Sequence, residues 1–165
     1  MNIQNCRLEM RYAICDGDED KIKNLLMKGF NPNSNISCFC QYDRYTDSYQ
    51  DPMTGRSIIP LVYALGLASL PIPYKNTISI LKAKKIVQIL HFHGSQMHFS
   101  PRQVEDFMID ITYMNQDVLK GNRNEIILEL NKKNLINFES LIIKMQEMLD
   151  SLYEPPFLFF GLPDK

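Results

Sequence analysis

"GDEDKIKNLLMKGFNPN", Gly17 to Asn33, reads as one amphipathic helix with both ends marked. Asp18 or its neighbour can cap the free backbone N–H groups, and the early acids suit the positive end of the helix dipole. Ile22, Leu25 and Leu26 form the stripe to be buried. Gly29 ends the helix, because a left-handed residue after the last turn costs glycine little. Upstream, Leu8, Tyr12 and Cys15, with Ile14 beside them, follow helical spacing until Gly17 interrupts it. The stretch therefore predicts a second helix that turns back from a first.

Two short helices joined by a tight turn cannot bury both of their sides, so such a pair needs another stacked on it. The sequence supplies one. "PLVYAL", Pro60 to Leu65, aligns with "EMRYAI", Glu9 to Ile14, and "KIVQILHFHGSQMH", Lys85 to His98, aligns with "KIKNLLMKGFNPN" when one shift is allowed. Tyr12 and Tyr63 lie 51 positions apart, against about 33 for the commonest helical repeat with a turn between units. The excess marks an insertion, "SNISCFCQYDRYTDSYQDPMTG". Further extra sequence, broken by Pro71 and Pro73, separates the two helices of the second pair.

Beyond this, "FSP" sets Ser100 as an N-cap and Pro101 at the first helical position. Val104, Phe107, Met108 and Ile111 then repeat at helical spacing, predicting a third long helix. A shorter helix bearing Ile126, Ile127 and Leu130 is expected to be its return partner. Asn137 opens a final helix whose apolar face runs from Phe138 to Leu152, ended by Pro155 and Pro156. The apolar tail Phe157 to Phe160 is expected to fold back over that helix.

Composition limits the function classes. At 165 residues, 45% hydrophobic and 22% charged, the chain fits one domain, residues 1–165. Eighteen basic against nineteen acidic residues leave a net charge of −1, which excludes a broad electrostatic footprint for nucleic acid or an anionic membrane. No stretch reaches the roughly 18 consecutive apolar residues that span a bilayer, and "MNIQNCRLEMRYAIC" lacks the order of a secretory signal. The expectation is a cytoplasmic protein, or one exported without a cleaved signal into a host cell. Cys6, Cys15, Cys38 and Cys40 are expected as reduced thiols, two of them in core-facing helix positions.

"YAICDGDEDKIKNLLMKGFNPN" resembles an ankyrin repeat, with Ala13, Gly17, Ile22, Leu25, Leu26, Gly29 and Asn33 at the family's positions. "GRSIIPLVYA" is similar to the family's second signature through Gly55, Pro60, Leu61 and Ala64, although two extra residues precede Pro60 and Val62 replaces a histidine that hydrogen-bonds in the family's turns. The resemblance implies an all-α, short ankyrin-type solenoid of helix pairs with a helical C-terminal cap. Its parts are repeat 1 at 8–33, an inserted loop at 34–54, repeat 2 at 55–98, a helical cap or degenerate repeats at 99–154, and an apolar tail at 155–165. It further implies a non-enzymatic protein-binding module working through its turn insertion and inner helices.

In the insertion, Tyr42, Arg44, Tyr45, Asp47 and Tyr49 are the candidate partner-binding residues, because tyrosine and arginine anchor interfaces. The plainer alternative is that these tyrosines pack the loop onto its own repeat. Cys38 and Cys40 with His91, His93 and His98 make a weak metal pattern, so neither a metal nor a cofactor is expected. No nucleophile stands beside a base, so no catalytic residue is assigned. Many isoleucines, asparagines and lysines fit a low-GC genome, and a lone small ankyrin protein resembles secreted effectors of intracellular bacteria. The alternative function is a dedicated inhibitor or immunity protein that blocks one enzyme.

Overall fold

Gly17 and Gly29 adopt φ of 66° and 101°, and these two left-handed residues flank the second helix as the spacing predicts. In the computed structural model, which describes residues 3–37, 41–43, 48–50, 57–70, 78–114, 123–132 and 137–152, α1 spans Ile3–Asp16 and α2 spans Glu19–Met27. Asp18 caps α2, its Oδ1 accepting from the Lys21 amide at 3.1 Å. α2 buries Ile22, Leu25 and Leu26.

α3, Pro60–Ser69, and α4, Ile80–Phe92, form the second pair. α1 packs on α3 and α2 on α4, so the pairs stack in the same order. Gly94, at φ 96°, ends the second pair as Gly29 ends the first. The two turns are also tied together. Asn33 Oδ1 accepts from the Gln96 amide at 2.8 Å, and its Nδ2 donates to the Gly94 carbonyl at 3.2 Å.

α5, Pro101–Met114, continues the α1–α3 row by packing on α3. Ser100 and Gln103 cap it reciprocally: Ser100 Oγ accepts from the Gln103 amide and Gln103 Oε1 from the Ser100 amide. α6, Arg123–Lys132, packs on α5. α7, Phe138–Ser151, reaches α3, α4 and α5. The expected return partner of α5 was α6; α7 takes that role more fully, because its Leu141, Met145, Met148 and Leu149 are all buried and an apolar face that wide needs several helices to cover it.

The chain is all-helical in class, with seven helices and one two-stranded ribbon among the described residues. The ribbon, β1 Gln41–Asp43 and β2 Ser48–Gln50, lies in the insertion expected as a loop. Pro71, Pro73 and the tail from Pro155 lie outside the described residues.

α3 is the axis of the core. Nine of its ten residues, from Pro60 to Leu67 and Ser69, are buried, as expected of a helix apolar on every side. Its approach to α5 is close enough that a Cβ on Gly66 would stand 2.5 Å from Phe107 Cε2. Helix propensity alone favours Gly66→Ala by about 1 kcal/mol, whereas overpacking costs about 1–3 kcal/mol. Phe107 is fully buried and meets Tyr63 edge-on at 5.5 Å, so its ring has nowhere to retreat. Urea unfolding should therefore find Gly66→Ala less stable than the parent, and a second change, Phe107→Leu, should recover part of the loss.

Candidate functional site

The insertion, 34–54, follows the first helix pair, and its base, at residues 35–37 and 57–59, is pinned at several points. The Ile36 amide donates to the Ile58 carbonyl at 2.8 Å. Asn35 Oδ1 accepts from both the Ser37 and Ile58 amides, at 3.1 and 3.0 Å. Ile36, Ile58 and Ile59 are buried, so both sides of the base carry apolar area into the core. Asn35 thereby ties the two sides of the neck together.

Buried charges secure each side of this neck. Arg11 Nη1 on α1 donates to the Ile36 carbonyl at 3.3 Å, and Asp106 Oδ2 on α5 accepts from the Ser57 amide at 3.1 Å. Arg11 Nη2 also lies 2.8 Å from Asp110 Oδ2, with both side chains almost fully buried. The contact is an ion pair whose alignment falls short of a hydrogen bond. The guanidinium sits 5.1 Å from the centre of the Tyr63 ring, within the range of a cation–π attraction. Arg7, also buried, stands one turn before Arg11, as Asp106 stands one turn before Asp110. Of these, Arg11 and Asp110 meet directly, while Asp106 serves the Ser57 amide.

These four residues were not singled out from the sequence. The available signal was their spacing: 7 and 11, and 106 and 110, each fall on helical stripes shared with Met10 and Ile14 or with Phe107 and Ile111. Their burial gives them a structural role, since a constellation closed to solvent admits no substrate.

Of the predicted partner-binding residues, Tyr42 and Tyr49 are directly paired in the antiparallel ribbon, between Gln41↔Gln50 and Asp43↔Ser48. Opposed positions lie on the same face of a ribbon, so the backbone brings these two together. Arg44, Tyr45 and Asp47 lie outside the described residues, as do Cys38 and Cys40. No family model, curated protein or solved structure matches the chain. The site is therefore read from its own geometry.

That geometry bears on the inner helices, expected as a second contact surface. α3 offers no free side, and what α1 leaves accessible includes Tyr12, 58% exposed. Among the described residues, no group of three or more His, Cys, Asp or Glu could hold a metal ion. No helix there is long and apolar enough to cross a membrane.

Cys6 is buried and Cys15 half-buried, both as free thiols. Burial pushes the Cys15 thiol up to about 11, with Arg11 opposing and Asp16 and Asp110 adding to the rise. A raised thiol stays protonated at neutral pH, so its thiolate is about a hundredfold scarcer at pH 8 than in an ordinary cysteine. Peptide-level mass spectrometry should find Cys15 slow to react with iodoacetamide at pH 8 and accelerating toward pH 11. For the ion pair, Asp110→Ala should cost about 3–5 kcal/mol by leaving Arg11 buried without its counter-charge, while Arg11→Met with Asp110→Leu should restore most of the stability. Urea unfolding of the two variants checks this, and equal losses would contradict it.

Proposed function

We propose that the chain is a short ankyrin-type solenoid that works as a non-enzymatic protein-binding module, presenting the insertion to a partner protein. Three features support the solenoid: two helix pairs stacked in the same order, left-handed glycines ending both outer helices, and the Asn33 bridge between successive turns. The single observation that carries the binding role is the clamped neck. Two backbone–side-chain contacts to buried charges and a buried backbone pair hold the base of a segment rich in tyrosine. A recognition loop on a rigid base loses less conformational entropy on binding than one on a free tether. Tyrosine contributes the rest, a large rigid ring with a polar end.

With α3 enclosed, the insertion and the accessible residues of α1 bear the recognition. A host-cell protein is the partner that the effector reading specifies.

The test places a photo-crosslinking amino acid at Tyr45 and identifies what it captures from host and source-cell lysates. The captured protein is then purified and its affinity measured against the intact chain and against a variant with Tyr42, Arg44, Tyr45 and Tyr49 changed to alanine. Loss of at least a hundredfold in affinity, with the two chains melting alike, is the expected result, since hot-spot residues each contribute about 2 kcal/mol or more. Equal affinities would remove the insertion from the interface.

A further inference from the structure

Where α2 lies along α4, an open groove of about 510 Å³ runs between them. Its α2 wall is Glu19, Lys23 and Met27, each four residues after the last, and its α4 wall includes Lys85, Ile89 and Phe92. Both walls therefore follow a single helix face for about two turns, a length of about 12 Å at 1.5 Å per residue. The groove belongs to the outer helices and shares no residue with the insertion or its neck.

Two properties define what fits. The first is apolar area left in water: Met27 is 75% and Phe92 50% exposed, with Ile89 half-buried between them. Large exposed apolar side chains gathered in one concavity mark a contact surface, and methionine adapts its shape to a partner. The second is charge. The Glu19 carboxylate, the acid in the groove, is held by Lys82 at 2.7 Å. Lys23 and Lys85 enter no ion pair among the described residues. The groove thus shows an apolar floor with two uncompensated cations beside it.

We infer that this groove is a second docking site, and that its occupant is an amphipathic helix of a partner protein carrying acidic residues beside its apolar stripe. Helix-in-groove recognition sets apolar anchors at i, i+3 or i+4, and i+7 against such a floor. Here the anchors would contact Met27, Ile89 and Phe92, and the flanking acids would reach Lys23 and Lys85. Complementary charge of this kind selects among helices of similar hydrophobicity.

The experiment displays a library of amphipathic helices, with every arrangement of acidic, basic and neutral flanks, against the full chain. Selected peptides are retested on Phe92→Ala and on a Lys23→Glu/Lys85→Glu variant, both checked for an unchanged melt. The inference expects binders enriched in Asp and Glu, with affinity falling at least tenfold on each variant. It expects no change when Tyr42, Arg44, Tyr45 and Tyr49 are replaced, which separates this site from the insertion. Enrichment of basic or neutral helices, binding indifferent to both variants, or no binders at all would overturn it. So would self-association in light scattering that Phe92→Ala abolishes, because the occupant would then be a second copy of the chain.

Discussion

The guanidinium of Arg11 joins α1 to three other parts of the molecule. It pairs with Asp110 on α5, lies against the ring of Tyr63 on α3, and donates to the Ile36 carbonyl at the neck of the insertion. A cation taken out of water loses several kcal/mol of hydration, and its attraction to one buried acid seldom returns more than that. The pair therefore adds little net stability over an apolar replacement. What it imposes is placement, because any arrangement that separates Arg11 from Asp110 must find each buried charge another partner or leave it without compensation.

That constraint matters in a stack of similar helix pairs. α1, α3 and α5 are all apolar along most of their buried surface, and apolar surfaces tolerate sliding by a turn at modest cost. Charged positions at matched spacing on α1 and α5 do not. A slip of one turn would put Arg11 opposite Asp106 and withdraw the acid that receives the Ser57 amide. The close approach of Gly66 to Phe107 acts in the same direction by sterics, since only one register sets the side-chain-free position against the ring.

Most of the helical framework was legible because its signals are local. Asp18, Gly29, Ser100, Pro101 and Asn137 act on backbone groups within one turn, and each sits at the helix end that its chemistry indicates. Apolar spacing likewise identified Val104, Phe107, Met108 and Ile111 as buried. The buried charges were hidden for the opposite reason. Arg11, Asp106 and Asp110 are polar by type, and partners distant in sequence make their burial tolerable: Asp110 for Arg11, and the Ser57 amide for Asp106. The part played by α7 was hidden too, since a face that wide shows the amount of covering it needs and leaves its neighbours unspecified. Of the insertion's five candidate residues, the backbone pairs Tyr42 with Tyr49, a register that periodicity in so short a segment does not specify.

Closing a flexible loop costs only about 0.6 kcal/mol more for each doubling of its length, so a long excursion between Asn35 and Ile58, 23 positions apart, is cheap to carry and cheap to lose. Stability alone would be served by a short turn between α2 and α3. The chain instead places an asparagine whose one oxygen accepts two amides, a buried backbone pair and two buried charges at the mouth of the excursion. Buried polar groups of this kind cost desolvation unless every partner is in position. Such an arrangement is stable only if the neck keeps one geometry, and one geometry at the neck fixes the point and direction from which the tyrosine-bearing segment departs.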